Sequence, residues 1–223
     1  MEQIPLHRLS QLLNLNRSVL IQSAAAMPRP RARLDPAAVT LAFAPDGLHG
    51  ATSAAVARCA GVAKPTVYAH SGSKEGMFLA CVEAEVERLL SELSDAEFDT
   101  RSFPARARLA ALAEAIIEHG RTSPAAARLL HQTARHASSR VAADVDAALA
   151  RLPARLASIL RRDTTPECAE RVAPALLGAA ATFALHPPRD PDRVATMLGD
   201  AFTAVLDRSE PASDDRVQSV GVY

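Results

Sequence analysis

The sequence predicts an all-α protein with a group of three short helices near the N-terminus and a larger helical domain after it. Two observations predict this fold class. Alanine, the best helix former, makes up about a fifth of the 223 residues. Apolar residues recur with helical spacing along most of the chain, and almost no stretch has the alternation of β-branched and polar residues that is typical of strands.

Residues 1–27 are predicted to be an extension that is disordered or loosely helical. Their leucines also fit an amphipathic helix. A secretory signal is a weaker interpretation, because Gln22 interrupts the apolar run after only Val19, Leu20 and Ile21. Met27 directly precedes the basic sequence PRPRAR, so it is an alternative natural start of the protein.

Three short helices follow, and each has a recognisable start. Aspartate and threonine are good helix caps, and proline is tolerated in the first turn, where its missing amide would have no partner in any case. The first helix begins after Asp35 and runs to about residue 44, the second spans 53–60 after Thr52, and the third spans about 63–70 with Pro65 in its first turn.

The second and third of these helices are predicted to form a helix-turn-helix. Gly61 lies where the chain must turn sharply, and glycine adopts a left-handed backbone without strain. Small apolar residues stand where the two helices would cross and behind both of them (Val56, Ala57, Val62 and Val67). In such a motif the second helix enters the major groove of DNA. Its exposed face here offers Lys64, Thr66, Tyr68 and His70.

This stretch resembles the TetR family of transcriptional repressors. The resemblance lies in the run GV-x-K-x-T-x-Y-x-H (61–70) and the following S-K-E-x-x-F (73–78), and it covers about residues 35–82. It implies a DNA-binding head followed by helices that hold an effector pocket and a dimer interface. One residue departs from the family pattern: Ser71 stands where an aromatic side chain normally fills the core of the head. Losing a buried Phe costs about 3–5 kcal/mol, so we expect a less rigid head unless Phe43, Met77 or Phe78 fills the space.

Positive charge is concentrated in the same region. The whole chain has a formal net charge of +0, but residues 28–80 carry six basic and three acidic residues, which suits phosphate binding. Lys64 and Thr66 are the candidates for contacts with base edges, and Thr52, Tyr68, His70 and Lys74 for contacts with phosphates. The complete set of candidate DNA-binding residues adds Pro65 and the three arginines Arg29, Arg31 and Arg33, which either follow a groove or solvate an arm.

The rest of the chain is predicted to be helical. Ser73 caps a long helix, and a loop at 95–102 ends it. Further helices are expected at about 103–120, 123–138, 140–162, 166–186 and 191–208. The predicted organisation is therefore an extension (1–27), a helix-turn-helix DNA-binding domain (28–80), a helical ligand-binding and dimerisation domain (81–208) and a flexible tail (209–223).

A small-molecule effector and a homodimer are implied by the resemblance, and the residues add modest support. Histidines and aromatics are sparse in the alanine- and leucine-rich helices, and of them His131 and Phe183 are the candidates for ligand contact. His131 could equally pair with a carboxylate. Helix 166–186 has a surface of small residues, and helix 191–208 has an apolar stripe too wide for one buried face. Both features favour a four-helix interface between two copies, although an intramolecular core is the alternative.

No motif for catalysis, a metal or a cofactor is found, so we expect neither an enzyme nor a cofactor. His131 and His136 are five residues apart and there is no HExxH or cysteine pair. Gly72-Ser73-Lys74 lacks the upstream glycine of a phosphate loop, and no serine has the GxSxG context. Three scattered cysteines favour a reducing cytoplasm. No apolar run is long enough for us to expect a membrane partner.

The sequence therefore predicts a cytoplasmic, dimeric transcriptional repressor that binds double-stranded DNA at a palindromic operator and is released by a small molecule. An activator or a ligand-independent regulator is one alternative. An all-α enzyme or a packing protein with a helix-turn-helix that does not bind DNA is the alternative from another class.

Overall fold

The computed structural model describes residues 35–136 and 140–208, with side chains described except at 68–71 and 132–136. All regular secondary structure in these residues is helical, which confirms the predicted fold class. The extension 1–27 and the tail 209–223 lie outside the described residues. The helices are α1 (Pro36–Phe43), α2 (Gly47–Gly50), α3 (Ser53–Cys59), α4 (Lys64–Ser71), α5 (Lys74–Thr100), α6 (Ala105–Thr122), α7 (Pro124–His136), α8 (Ala142–Leu160), α9 (Pro166–Leu185) and α10 (Pro191–Arg208).

The caps predicted for the head helices are present. The Asp35 carboxylate accepts a hydrogen bond from the Ala37 amide at 3.0 Å, and the Thr52 hydroxyl accepts one from the Ala55 amide at 3.1 Å. Between α1 and α3 we expected only a turn at Asp46-Gly47. The structure instead has the four-residue helix α2, which Gly47 enters with a φ of +67°.

The core of the head is built around two phenylalanines. The rings of Phe43 in α1 and Phe78 in α5 meet edge to face with centroids 5.2 Å apart, a favourable arrangement for aromatic pairs. Both rings are fully buried, as are Val39 and Val56. Met77 is buried as well, so the three side chains expected to compensate for Ser71 all lie in the core. The effect of Ser71 itself stays a prediction, because its side chain is not described.

Helix α5 begins as predicted and ends later than predicted. The Ser73 hydroxyl accepts a hydrogen bond from the Gly76 amide at 2.9 Å and caps the helix. The loop expected at 95–102 is wrong, because the helix continues to Thr100. Tertiary contacts stabilise the added turns: Ala96 packs on the core, and Glu97 pairs with Arg155 of α8 at 2.5 Å.

The larger helical part is arranged around α6. This helix packs against α5, α7, α9 and α10, while α8 closes the bundle against α5 and α9. Two glycines allow close helix crossings. A Cβ at Gly120 would lie 2.4 Å from the Ala184 carbonyl oxygen of α9, and one at Gly199 in α10 would lie 2.8 Å from the Arg106 carbonyl oxygen of α6. The predicted helices 103–120, 123–138, 140–162, 166–186 and 191–208 thus correspond to α6–α10 with small shifts at their ends.

The described residues belong to one compact unit, and α5 passes through the boundary predicted at residue 80. The division into 28–80 and 81–208 stays a prediction. By length and composition, α9 is apolar enough to cross a membrane. It packs here against α6 and α8 as a helix of the bundle, with buried side chains that include Val172 and Leu176.

Candidate nucleic-acid interface and ligand cavity

The turn between α3 and α4 has the geometry that the helix-turn-helix requires. Gly61 has a φ of +64°, a left-handed backbone that favours glycine. The Gly61 amide donates to the Arg58 carbonyl at 3.2 Å, and the Val62 amide donates to the Ala57 carbonyl at 3.0 Å. These bonds satisfy carbonyl groups at the end of α3 and fix the direction in which α4 leaves it.

Helix α4 presents the predicted base-reading residues at its start. Lys64 and Pro65 are exposed, Thr66 is half-buried, and Val67 is buried and holds the helix on the head. An exposed ammonium and a partly exposed threonine in the first turn can both reach base edges in a major groove. Tyr68 and His70 lie in the same helix, but their side chains are outside the described part.

Two residues predicted to contact phosphates have structural bonds as well. Thr52 is exposed and caps α3. The Lys74 Nζ donates to the Ala51 carbonyl oxygen at 3.1 Å, which ties the start of α5 to the start of α3. Because an ammonium has three donor hydrogens, this bond leaves capacity for a phosphate. The arginines Arg29, Arg31 and Arg33 lie outside the described residues.

A cavity of about 380 Å³ lies between α5, α6, α7, α8 and α9. Its size is at the lower end of the range for small-molecule sites, about 300–1,000 Å³. Leucine, isoleucine, alanine and two histidines form its wall. The lining residues are Leu89, Ile116, His119, Ala127, Leu130, His131, Leu149, Leu152, Leu177, Ala181 and Ala184.

The two residues predicted to contact a ligand occupy different places. His131 lines the cavity from an exposed position on α7. Phe183 is half-buried against the core and is not among the described residues that line the cavity. The reason is helical geometry. Leu177, Ala181 and Ala184 share one face of α9, whereas Phe183 stands two residues after Ala181, about 200° around the helix. Ligand contact by Phe183 therefore has no support from this cavity and stays a prediction.

His119 is the cavity residue that sequence reasoning passed over. Its side chain is 3% exposed, and its Nδ1 lies 2.9 Å from Glu92 Oε2. Nε2, the other ring nitrogen, is buried and has no hydrogen-bond partner among the described residues. A sequence signal existed: His119 follows Leu112 and Ile116 at helical spacing and so falls on the buried stripe of α6.

A polar cluster connects the wall of the cavity with α5 below the head. The Ser123 amide donates to the His119 carbonyl at 3.0 Å, and the Ser123 hydroxyl accepts from Arg88 Nη1 at 2.8 Å. Arg88 Nη2 lies 2.7 Å from Glu85 Oε2 in an ion pair without hydrogen-bond geometry. Ser123 immediately precedes α7, which packs against both α1 and α2. The wall of the cavity is thus connected to the head through Ser123 and α7.

Within residues 35–136 and 140–208, no three His, Cys, Asp or Glu side chains come together as a metal site would require. None of the three cysteines is in a disulfide.

Residues 37–81 match the family model described as "Bacterial regulatory proteins, tetR family". This range contains α1–α4 and the start of α5. No curated protein matches the sequence.

Solved structures extend the likeness to most of the chain. A TetR-like transcriptional regulator from Rhodococcus sp. RHA1 is 24% identical with a TM-score of 0.64, and the match covers 81% of this chain and 98% of that one. A second transcriptional regulator from Rhodococcus is 25% identical with a TM-score of 0.62, over 81% and 97%. FadR from Bacillus subtilis, solved in complex with stearoyl-CoA, is 14% identical with a TM-score of 0.61, over 77% and 95%.

The family match falls on the helix-turn-helix whose turn and exposed helix start are described above, and the helices that follow have the fold of the TetR-like regulators. This combination identifies a DNA-binding transcription factor and excludes the enzyme alternative. Residues 37–81 thus match the tetR family of bacterial regulatory proteins, and they are part of a chain whose fold is similar to that of TetR-like transcriptional regulators.

Proposed function

We propose that this protein is a cytoplasmic repressor that binds a palindromic operator as a homodimer and leaves it when a small molecule occupies the cavity between α5 and α9. The observation that carries this proposal is the position of α7. Ala127, Leu130 and His131 of this helix line the cavity, and the same helix packs against α1 and α2 of the head. A ligand that moves α7 would therefore move the head.

The DNA-binding surface consists of the exposed start of α4 and the residues around it. Lys64 and Thr66 contact base edges, with Pro65 setting the start of the helix. Thr52, Tyr68, His70 and Lys74 contact phosphates and fix the register of the head on the duplex. Arg29, Arg31 and Arg33 add positive charge from the segment before α1.

The homodimer is supported by the surfaces of α9 and α10. Ala175, Gly178 and Thr182 form an exposed row of small residues on α9. On α10, Met197 is 52% exposed and Val205 is 38% exposed. Small residues allow close helix approach, and exposed apolar side chains are typical of surfaces that associate. In the proposed two-fold dimer these surfaces face each other, and a palindromic operator then requires the two copies of α4 to lie about one turn of DNA apart.

Binding of a small molecule is supported by the cavity and by one protein of the same fold. FadR from Bacillus subtilis has been solved in complex with stearoyl-CoA. That likeness concerns the fold, and the present cavity of about 380 Å³ favours a more compact ligand.

The first experiment tests DNA binding by band shift on the DNA beside the protein's own coding region. We expect a palindrome there to be bound, with an affinity that falls steeply as salt rises because several phosphates are contacted. Tyr68→Ala should weaken binding to all sequences alike, whereas Lys64→Ala should lower the preference for the operator. Unchanged affinity in Tyr68→Ala would remove that residue from the phosphate contacts.

A second experiment separates repression from activation. A reporter gene under the palindrome is expected to be silenced by the protein. Higher expression in the presence of the protein would favour an activator, and silencing that no small molecule reverses would favour a ligand-independent regulator.

A further inference from the structure

The imidazole of His119 is the one deeply buried polar group among the described residues that line the cavity. Apart from the exposed His131, the lining side chains are all Leu, Ile or Ala. An apolar cavity of this kind binds apolar molecules by excluding water, and a single polar group fixes their orientation. The chemistry of this ring therefore restricts the class of ligand.

The contact with Glu92 determines which of the two ring nitrogens of His119 carries the hydrogen. Glu92 Oε2 lies 2.9 Å from Nδ1, and a carboxylate only accepts hydrogen bonds, so Nδ1 carries the hydrogen. In the neutral ring Nε2 is then an acceptor. Glu92 is not among the cavity-lining residues, whereas His119 is. Nε2, buried and without a partner in the described part of the chain, is thus the ring atom left for a bound molecule.

A neutral hydroxyl group fits this acceptor better than a carboxylate does. A carboxylate would need a second proton on the ring, and its own charge would be removed from water among aliphatic side chains, which is costly. A hydroxyl group donates to Nε2 without either change. A ligand with no polar group leaves the buried Nε2 unsatisfied.

We propose that the effector is a compact, largely apolar, uncharged molecule that donates one hydroxyl group to Nε2 of His119, while Glu92 positions the ring. This inference rests on the ligand-controlled function proposed above, and it adds the chemical class of the ligand and the atom that recognises it.

Three probes with the same apolar body test the inference: 4-butylphenol, butylbenzene and 4-butylbenzoate. Their dissociation constants are measured by calorimetry on the full chain without DNA. We expect the phenol to bind about fivefold more tightly than butylbenzene, the difference that one net hydrogen bond makes, and the benzoate to bind most weakly. Equal binding of phenol and butylbenzene, tighter binding of the benzoate, or binding of none of the three would overturn the inference.

Four variants show whether the preference arises at His119. His119→Leu should abolish the preference for the phenol while butylbenzene still binds. Glu92→Leu should reduce the preference, and Glu92→Gln should retain it because the amide oxygen still accepts from Nδ1. Ala181→Phe fills the cavity from α9 and should weaken binding of phenol and butylbenzene together. A phenol preference that survives in His119→Leu would place the hydroxyl elsewhere. Far-ultraviolet circular dichroism verifies that each variant is folded.

Release of operator DNA is measured separately with the same probes. A phenol preference without any release would support the hydroxyl site and overturn ligand-controlled repression by this cavity. Release without a phenol preference would support the proposed function and overturn the hydroxyl site.

Discussion

Burial sets the reactivity of the three cysteines. Cys81 is buried beneath α1, and burial raises the pKa of its thiol to about 12, an effect to which the nearby Glu85 carboxylate contributes in the same direction. Cys168 is buried as well, whereas Cys59 is half-buried. Since the thiolate is the reactive form, Cys81 is expected to be inert at ordinary pH.

Iodoacetamide at pH 8 should therefore modify Cys59 in the folded protein and leave Cys81 unmodified, because only about 10⁻⁴ of Cys81 is thiolate at that pH. Peptide mass mapping measures the sites, and modification of all three cysteines in urea is the control. In the unfolded chain the thiol has a pKa of about 9.0, whereas in the folded chain its pKa is about 12. Because the thiol ionises first in the unfolded chain, the free energy of unfolding falls as pH rises from about 9 to about 12. Rapid labelling of native Cys81 at pH 8 would contradict the raised pKa of its thiol.

Burial also distinguishes the ion pairs of the protein, because some are nearly enclosed and others are open to water. Arg108 of α6 pairs with Asp163 in the α8–α9 turn, and the two side chains are 11% and 12% exposed. Burial lowers the pKa of the Arg108 guanidinium, and the nearby Arg162 lowers it further. The Arg161–Glu170 pair is open to water, at 49% and 62% exposed.

Asp163→Asn is expected to lower the free energy of unfolding by about 3 kcal/mol, because it leaves a mostly buried cation without its partner. Urea denaturation measures the change. Glu170→Gln is the matched control and should change stability by only about 0–1 kcal/mol. Equal effects of the two substitutions would show that the Arg108–Asp163 pair adds little.

At the scale of elements, the crossing of α6 and α9 depends on Gly120. A Cβ there would meet the Ala184 carbonyl oxygen at 2.4 Å and the Ala184 Cβ at 2.5 Å. Both are atoms of a packed helix, so the helices must separate to accommodate it. Gly120 is also adjacent to His119, and Ala184 lines the cavity.

Gly120→Ala should therefore destabilise the protein by about 1–3 kcal/mol through overpacking, although alanine favours helix by about 1 kcal/mol. Thermal unfolding gives the change. Ser158→Ala on the exposed side of α8 is the control, since it adds no atom to the core and should leave stability nearly unchanged. A Gly120→Ala protein more stable than wild type would show that the two helices yield easily.

The junction between α6 and α7 is the element that we expect to couple cavity and head. Ser123 bonds to the His119 carbonyl through its amide and to Arg88 through its hydroxyl. Ser123→Ala removes only the second bond. It should reduce the coupling free energy between 4-butylphenol and operator DNA by about 0.5–2 kcal/mol, measured from DNA affinities with and without the phenol.

Thr122→Ala is the matched control for this substitution. Among the described residues, the Thr122 hydroxyl bonds only to carbonyl groups of its own helix, at 2.9 Å and 3.3 Å, so its loss should leave the coupling unchanged. If both variants respond to the phenol as wild type does, the coupling does not pass through Arg88 and Ser123.

At the scale of the whole molecule, the exposed row of small residues on α9 and the exposed side chains Met197 and Val205 of α10 form the surface that we propose for the dimer. Met197→Glu places a charge where a second copy is expected to pack, and burying an unpaired charge is strongly unfavourable. We expect the wild-type protein to have the mass of a dimer by light scattering and Met197→Glu to have that of a monomer with weakened operator binding. Ala150→Glu, on the exposed side of α8, should remain dimeric. A wild-type monomer at micromolar concentration would contradict the proposed dimer.

Local signals predicted the head well. The caps Asp35, Thr52 and Ser73, the left-handed Gly61 and the buried Val67 act within a few residues of the sequence that specifies them. The end of α5 was missed because polar residues at 95–100 read as a loop, whereas Glu97 is held by Arg155, 58 residues further along the chain. Helical periodicity does not report such distant pairs.

The sequence by itself determined the fold class, the helix-turn-helix and the residues at the start of α4, because helix caps, glycine conformation and apolar spacing act over one or two turns. Only the tertiary structure decided which side chains line the cavity, because five helices between residues 74 and 185 meet there. It brought Glu92 to His119, and it placed His119 in the described lining of the cavity. Those outcomes depend on the packing angle and rotation of each helix, which side chains far apart in the chain set together.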